Sequence, residues 1–384
     1  MSVEKPKYNR KNPCIASLKE AWELTENCKE KDTRHFTLDL AGTGLEYTPG
    51  DSLAVLPENC PEVADALIAA LGFRGDEMVT PAGAESEKTI REAFVENCVI
   101  TTPDKKVMNA IVAKAGDSAT ELASLLEADR KADLADFLWG REIIDLVEAY
   151  PSARFEAQEF VDLLKKLNIR LYSISSSQAS VGEEVHLTIA TVEYESHGRS
   201  RKGVCSTWLA QRVDLGQKIQ CFISPGKGFR LPEPEEDVPV IFVGPGTGIA
   251  PFRAFLQERK SASAKGDAWL LFGEIHEEST YFYKDEFDAY LADGTLARID
   301  AAFSRDQDEK IYVQHKILEA GAEFWNWLER GAIVYVCGDA NRMAPDVDAA
   351  IRSVVGEHGG RTAEEVDVFM TALKDDKRYR RDVY

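Results

Sequence analysis

The sequence predicts an α+β multidomain protein, in which an antiparallel β-barrel with a helical insert precedes a doubly wound α/β domain. Three observations favour this fold class. Strand-like segments flank a block of helical segments in the first part of the chain, and short apolar strands alternate with amphipathic helices after a linker. The length of 384 residues also exceeds what a single hydrophobic core usually supports.

The first strand-rich part covers residues 10–57. Within it, "RHFTLDLAG" alternates the apolar Phe36, Leu38 and Leu40 with polar neighbours, which is the pattern of a half-buried strand. Residues 58–150 then carry apolar side chains at helical spacing, with Gly, Pro, Ser and Thr at the segment ends. We interpret this second part as a helical insert.

Strands resume over residues 151–231, in segments such as "RLYSISSS" and "EEVHLTIATVEY". A β-structure that a helical segment interrupts indicates one barrel into which a helical domain is inserted. The stretch "PEPEED" has the composition of a linker. After it, residues 236–384 alternate apolar strands with helices, which predicts a parallel, doubly wound sheet.

Composition narrows the possible functions. The net charge of −20 would repel nucleic-acid phosphates, so no nucleic-acid partner is expected. The seven cysteines include no C-x-x-C and the six histidines no H-E-x-x-H, so no metal site is predicted. Neither a signal peptide nor a transmembrane run is visible, which predicts a cytoplasmic protein that does not bind membranes. Any redox chemistry would then need an organic cofactor.

A glycine-rich loop lies between a buried strand and a helix in "VPVIFVGPGTGIAPFRAFLQER". Gly244, Gly246 and Gly248 lack side chains that would keep a phosphate or a nicotinamide away from the backbone. Doubly wound sheets bind ligands beyond the carboxyl ends of their strands, where this loop would lie. Taken alone, the loop is also compatible with a purely structural turn.

A second candidate site is the segment "FSRDQDEKIYVQ". Ser304 and Arg305 follow a predicted strand, and Lys310, Tyr312 and Gln314 come shortly after. Two cations beside a hydroxyl suit a 2′-phosphate, and a tyrosine ring can lie on an adenine face. A solvated loop with unrelated charges is the alternative.

Three further segments add candidates. In "RLYSIS", we expect Arg170 and Ser173 to share a strand, with Tyr172 on the opposite face; an ordinary edge strand is the alternative. "GVCS" (203–206) begins a predicted helix, whose first N–H groups suit a pyrophosphate. In "YVCGDANRMAPDV", Cys337 ends a strand near the glycine loop, although a free cysteine there could simply be a buried apolar residue.

These segments and the final "RYRRDVY" occur in an order that resembles the FAD/NADPH half of the diflavin reductases, most of all the flavoprotein subunit of NADPH-dependent sulfite reductases. The similarity runs from about Cys14 to Tyr384. It implies a ferredoxin–NADP reductase-like fold, a helical connecting domain, and FAD and NADPH as cofactors. That family also has an N-terminal FMN domain, which this sequence is expected to lack.

The resemblance implies two sets of cofactor-binding residues and no metal site. The residues implied for FAD are Arg170, Leu171, Tyr172, Ser173, Thr188, Ile189, Ala190, Tyr194, Gly203, Val204, Cys205, Ser206 and Tyr384. The residues implied for NADP are Gly246, Thr247, Ser304, Arg305, Lys310, Tyr312, Gln314 and Asp346.

Four residues are implied to act in hydride transfer from NADPH to the flavin. Ser173 would hydrogen-bond at flavin N5, Cys337 would lie near nicotinamide C4, and Asp382 would stabilise the charge that develops on the nicotinamide. Tyr384 would cover the flavin with a movable ring that NADPH displaces. The protein would contribute mainly by orienting the two rings.

The implied function is that of an FAD-dependent NADPH oxidoreductase that serves as the flavoprotein component of an assimilatory sulfite reductase. Its electrons would pass to a separate haemoprotein subunit, in a pathway of cysteine biosynthesis. One alternative is a stand-alone NADPH–flavodoxin or NADPH–ferredoxin reductase. A second is a flavin-binding interaction module without turnover.

Overall fold

The computed structural model describes residues 7–384, which form two compact units. The larger unit contains the described residues up to Val55, together with Leu171–Thr191 and Asp214–Tyr384. The smaller unit contains Leu56–Arg170 and Val192–Val213. The domain bounds given above divide the chain in another way and stay a prediction.

Strands and helices are numbered in chain order. The strands are β1 Cys14–Glu23, β2 Thr33–Asp39, β3 Ser52–Val55, β4 Met78–Val79, β5 Lys88–Thr89, β6 Arg170–Ser173, β7 Glu184–Ala190, β8 Glu193–Ser196, β9 Arg199–Lys202, β10 Lys218–Ser224, β11 Val240–Val243, β12 Ala268–Glu274, β13 Arg298–Phe303, β14 Ile333–Gly338 and β15 Tyr379–Val383. The α-helices are α1 Pro61–Leu71, α2 Ile90–Glu96, α3 Lys105–Ala115, α4 Thr120–Leu125, α5 Lys131–Leu138, α6 Ile143–Ala149, α7 Ala157–Leu163, α8 Gln178–Val181, α9 Val204–Gln211, α10 Ala250–Ala262, α11 Glu277–Thr280, α12 Lys284–Asp293, α13 Val313–Glu319, α14 Gly321–Glu329, α15 Met343–Glu357 and α16 Ala363–Asp375.

An antiparallel sheet with the strand order β6-β3-β10-β1-β2-β7 forms the predicted barrel. Its two edges are joined where Ile174 bridges Leu187 and the Ser175 N–H donates to the His186 carbonyl over 2.8 Å. Closing the sheet in this way removes unpaired edge groups. In β2 the predicted apolar face is buried, but so are the alternate residues His35 and Thr37, because the strand is covered on both faces.

The second sheet of the larger unit is parallel, with the order β13-β12-β11-β14-β15. Along β11, Val240 and Phe242 pack into one hydrophobic core, and Ile241 and Val243 pack into another. Helices therefore cover both faces, as predicted. The chain runs outward in both directions from β11, so the crevice at the carboxyl end of this strand is where such sheets bind ligands.

The glycine loop after β11 approaches β14 closely. A Cβ atom on Gly248 would lie 2.1 Å from the Cys337 carbonyl oxygen, so no side chain fits there. Gly246 has a φ of 59°, which glycine adopts without strain. The loop forms a 3₁₀ turn, Gly246–Ile249, and leads directly into α10.

The smaller unit contains α1 to α7, which pack around a core of residues such as Leu67, Phe94, Ile111 and Phe160. Its first helix begins with a proline and is capped after its last residue by Gly72, whose φ is 78°. The unit also holds α9 and the paired strands β8 and β9. Throughout residues 7–384, no helix has both the length and the hydrophobicity to cross a bilayer, and no cluster of His, Cys, Asp or Glu is suited to a metal ion.

Candidate functional site

Three of the residues predicted to take part in the reaction lie together at the carboxyl edge of the parallel sheet. The register of β14 and β15 pairs Cys337 with Asp382. The Ser173 Oγ donates a hydrogen bond to Asp382 Oδ2 over 3.0 Å. Cys337 is fully buried, and this burial raises the pKa of its thiol well above the ordinary value. The cluster thus combines a hydroxyl, a carboxylate and a neutral thiol.

Tyr384 lies beside the glycine loop. Its backbone N–H donates to the Gly338 carbonyl over 3.1 Å, and its hydroxyl is hydrogen-bonded to Thr247 Oγ1 over 2.9 Å. The residue is nevertheless 62% exposed. Backbone bonds therefore hold its position while the ring remains accessible, as a ring that covers a ligand requires. Whether it covers a flavin stays a prediction.

A cavity of about 450 Å³ opens next to this edge of the sheet, within the usual size range of small-molecule sites. Five of the residues predicted for NADP line it, namely Gly246, Ser304, Tyr312, Gln314 and Asp346. The other three predicted residues, Thr247, Arg305 and Lys310, do not line it. Within the cavity, Gln314 Nε2 donates to Asp346 Oδ2 over 3.2 Å.

The segment predicted to hold a 2′-phosphate follows β13, as expected. Ser304 is buried, with its N–H donating to the Glu274 carbonyl over 2.9 Å, whereas Lys310 is exposed. Arg305 is paired with Glu30, and 3.4 Å separates Nη1 from Oε1. Of the two cations predicted to bind a 2′-phosphate, Arg305 therefore already has a carboxylate partner from a distant part of the sequence.

Sequence reasoning missed several cavity-lining residues. Asp339 Oδ2 accepts from the N–H groups of Arg342 and Met343, over 2.7 and 3.1 Å, where α15 begins. An acidic residue just before a helix is a recognisable capping signal. Lys31 also lines the cavity and pairs with Glu274. No local signal identifies Lys31, since it reaches the cavity from the segment between β1 and β2.

The expected arrangement on β6 is partly wrong. Side chains on a strand alternate, so Tyr172 does lie opposite Ser173, but Arg170 shares the side of Tyr172. On β7, Thr188 and Ile189 are buried, and Thr188 Oγ1 is hydrogen-bonded to the Tyr283 hydroxyl over 2.6 Å. Because these side chains pack internally, a ligand at β7 would have to meet the backbone or Ala190.

The smaller unit has a cavity of about 330 Å³ at the start of α9. Four cations, Arg141, Arg170, Arg201 and Lys202, line it, together with Tyr194 and the Gly203–Val204 backbone. Gly203 provides no side-chain cap for the helix, and the first N–H groups of a helix have no partners within it. The four cations and the positive end of the helix suit an anionic group such as the pyrophosphate of FAD.

Arg201 is the residue of this cavity that sequence reasoning missed most clearly. It is 2% exposed and pairs with Asp145 over 2.7 Å and with Glu142 over 3.2 Å, while its Nε has no hydrogen-bond partner. The predicted Ser206 hydroxyl is already used, because it accepts from the Val192 N–H over 3.1 Å. Cys205 is buried. These two residues would therefore contribute backbone groups to a ligand.

Comparison with known proteins agrees with this geometry. An FAD binding domain model matches residues 6–208, and an oxidoreductase NAD-binding domain model matches residues 242–349. Flavoprotein alpha-components of NADPH sulfite reductase are similar, from Bacillus subtilis at 41% identity over 377 residues, and from Photorhabdus laumondii and Escherichia coli at 43%. Each alignment covers 98% of this chain and 62% of the relative.

The predicted fold class is confirmed, as are FAD and a nicotinamide dinucleotide as the cofactors. The predicted resemblance to the sulfite reductase flavoprotein alpha-components is confirmed too. The chain spans less than two thirds of the length of these relatives. It belongs to the family of flavoprotein reductases in which this FAD binding domain is followed by an oxidoreductase NAD-binding domain.

Proposed function

We propose that the protein is an FAD-dependent reductase that takes electrons from NADPH and passes them to a separate acceptor protein. The observation that carries the proposal is the hydrogen-bonded pair Ser173–Asp382, next to buried Cys337 and beside the coenzyme cavity. Residues 10–57 and 151–231 would form the FAD-binding barrel, residues 58–150 the connecting domain and residues 236–384 the NADP-binding domain.

A preference for NADPH over NADH is supported by the segment after β13. Ser304 and Tyr312 line the cavity, Arg305 follows Ser304 directly, and a 2′-phosphate needs such charge-assisted donors. The named relatives are themselves NADPH enzymes. We therefore expect the cavity to hold the adenosine end of NADP at Ser304, Tyr312 and Gln314, with Arg305 and Lys310 reaching the 2′-phosphate from outside the cavity.

When bound, FAD would accept reducing equivalents from NADPH and release them to the acceptor. The chain's own contribution is positioning. Ser173 can donate a hydrogen bond from its hydroxyl to a ligand, and without a ligand that hydrogen bond goes to Asp382. Asp382 also provides a negative charge at the edge of the sheet, and its register partner Cys337 is a buried, protonated thiol that adds no charge.

Tyr384 would exclude water from this edge until the coenzyme arrives. Its hydroxyl bond to Thr247 ties the ring to the glycine loop, which must itself contact the incoming nicotinamide. Moving the ring off the flavin would lose a stacking free energy of only about 0.5–1.5 kcal/mol, in addition to the contribution of the buried apolar area. A bound dinucleotide can supply that free energy.

For the acceptor, we propose the haemoprotein component of an assimilatory sulfite reductase, because the similar proteins are flavoprotein alpha-components of that enzyme. A flavodoxin or ferredoxin is the second candidate. Reconstitution tests the choice: the FAD-loaded protein and NADPH are combined with each acceptor, and acceptor reduction is followed by its visible spectrum. Reduction of the haemoprotein supports the first proposal, and reduction of only the flavodoxin or ferredoxin supports the second.

A further inference from the structure

Within the larger unit, side chains of α10 bind the segment that follows β6. Arg253 Nη1 donates to the Ser175 carbonyl over 2.8 Å, and Gln257 Oε1 accepts from the Ser177 N–H over 2.8 Å. Glu258 accepts a further hydrogen bond from the Ser177 hydroxyl. Because residues 253 and 257 lie one helical turn apart on the same face, two successive turns of α10 hold this segment through its backbone.

Both sides of this contact lie close in sequence to parts of the proposed reaction site. Ser175 follows Ser173 by two positions, and α10 begins directly after the turn Gly246–Ile249 of the glycine loop. A residue of α10 that binds Ser175 therefore connects two functional groups. One is the Ser173 hydroxyl, which is proposed to contact the flavin, and the other is the loop that is proposed to contact the nicotinamide.

The guanidinium group of Arg253 is held in one orientation. The residue is only 5% exposed, and its Nε and Nη2 donate to the Glu286 carboxylate of α12 over 2.9 and 2.6 Å. Its Cζ lies 4.6 Å from the centre of the Tyr283 ring. A bidentate pair of this kind fixes the plane of the guanidinium group, so the remaining nitrogen is directed at the Ser175 carbonyl.

The hydrogen bond from Ser173 to Asp382 is a second link between the barrel and the parallel sheet. Under the proposed function, the flavin replaces Asp382 as the acceptor of this bond, and the link is lost when FAD is in place. The bond from Arg253 to Ser175 involves only groups of the chain. It therefore remains to hold the Ser173 end of β6 when the Asp382 link is broken.

We infer that Arg253 is a positioning residue for hydride transfer, which acts through the Ser175 carbonyl to hold the Ser173 hydroxyl at a fixed place relative to the glycine loop. The inference rests on the proposed function. Arg253 does not line the coenzyme cavity, so it contributes to the orientation of the reacting groups and not to coenzyme affinity. A small loss of orientation is enough to slow a transfer between two rings.

Stopped-flow reduction of the FAD-loaded protein by saturating NADPH tests the inference in a double-mutant cycle. Arg253→Met should slow flavin reduction about tenfold, because the hydroxyl is displaced and not removed. In the Ser173→Ala background the same change should have almost no further effect, because the hydroxyl that Arg253 positions is gone. Calorimetry should show an unchanged NADP⁺ affinity in all of these variants.

Amide hydrogen exchange in the same FAD-loaded protein gives a second readout, which does not depend on activity. Arg253→Met should speed the exchange of the Ser175 and Ser177 N–H groups about tenfold, while β12 keeps its protection. The matched control is Arg259→Met, because Arg259 lies on the same helix, is 6% exposed and donates to the Gly266 carbonyl. This control removes an equally buried cation and should leave both the exchange and the reduction rate unchanged.

If Arg253→Met does not fold, Glu286→Gln takes its place, because it loosens Arg253 from the side of α12 and leaves the contact with Ser175 in the sequence. It should slow reduction about threefold, the effect of a partly exposed ion pair, and only when the Ser173 hydroxyl is present.

A wild-type reduction rate in the variant that is used would overturn the inference. So would a loss of rate that is the same with and without the Ser173 hydroxyl, or an equal loss in Arg259→Met. A wild-type protein whose bound FAD is not reduced by NADPH would instead overturn the proposed function, and this inference with it.

Discussion

Ser173 and Asp382, 209 positions apart in the sequence, are joined by a hydrogen bond of 3.0 Å from the serine hydroxyl to the carboxylate. The hydroxyl has one proton to donate. A ligand that accepts the hydrogen bond from Ser173 must therefore replace Asp382 as its acceptor. This relationship links an edge of the barrel to the last strand of the parallel sheet and underlies the first prediction.

Replacing Ser173 with alanine should slow reduction of bound FAD by NADPH about a hundredfold, the usual effect of losing one donor at a reacting centre. NADP⁺ affinity should stay unchanged, because the hydroxyl does not line the coenzyme cavity. Stopped-flow absorbance measures the first quantity and calorimetry the second. Ser353→Ala is the control, since that hydroxyl donates only to the Ala349 carbonyl within α15.

The same experiment extends to Asp382→Asn. If the two residues act as a pair, the double variant should lose less rate than the product of the single losses, because each single change already disrupts the shared bond. Rates of Ser173→Ala equal to those of the wild type would remove Ser173 from the reaction. Fully multiplicative losses would show that the two residues act independently.

Removing the Tyr384 ring should tighten NADP⁺ binding. On the proposed role of Tyr384, the coenzyme no longer has to displace a ring stacked on the flavin in Tyr384→Ser, a gain of about 0.5–1.5 kcal/mol, or up to roughly tenfold in affinity. Tyr384→Phe keeps the ring and loses only the bond to Thr247, so its affinity should stay close to that of the wild type. Weaker binding by Tyr384→Ser would mean that the ring supports the coenzyme instead of covering its site.

Cys337 should resist alkylation in the folded protein. Its thiol is fully buried and its pKa is raised, so the reactive thiolate is scarce and inaccessible. Cys28 is the only one of the seven cysteines that is not buried. Iodoacetamide at pH 8 followed by peptide mass spectrometry should label Cys28 first and Cys337 only after denaturation. Labelling of Cys337 at the rate of Cys28 would contradict the buried thiol.

Acid should destabilise the protein partly through His35. Burial, with the nearby charges of Arg253 and His186, lowers the pKa of His35 to about 2. Below pH ~6.5 the unfolded chain binds a proton at this residue that the folded chain excludes. Stability is therefore present above that pH and falls as the pH decreases from 6.5 towards 2.

The measurement compares unfolding free energies of the wild type and His35→Gln, whose amide can still hydrogen-bond the Tyr283 hydroxyl that His35 contacts at 2.9 Å. Between pH 6 and 4.5 the wild type should lose about 2 kcal/mol more than the variant. The exposed His197→Gln should follow the wild type. Parallel curves for wild type and His35→Gln would show that His35 is protonated in the folded state.

Local pattern was sufficient for much of the fold. The alternation after residue 236 predicted the parallel sheet, and the start of α9 at Val204 follows from the glycine that precedes it. The glycine loop lies where its sequence indicated, against Cys337. Each of these features depends on neighbours in the sequence, so the sequence contains the information directly.

Contacts between distant segments were not predictable in the same way. Lys31 and Arg201 have no motif around them, and only the folded chain shows which cavities they line. Thr188 illustrates the converse, because the family motif points to a ligand while its hydroxyl bonds Tyr283. On β6, by contrast, the two-residue period of a strand places Arg170 on the side of Tyr172, and the sequence itself contains this information.

The most direct test of the central claim is anaerobic titration of the purified, FAD-loaded protein with NADPH. We predict that about one FAD binds per chain, and that NADPH bleaches its visible absorbance far faster than NADH does at the same concentration. A protein that takes up no FAD, or whose bound FAD keeps its colour in excess NADPH, would contradict the proposed reductase function.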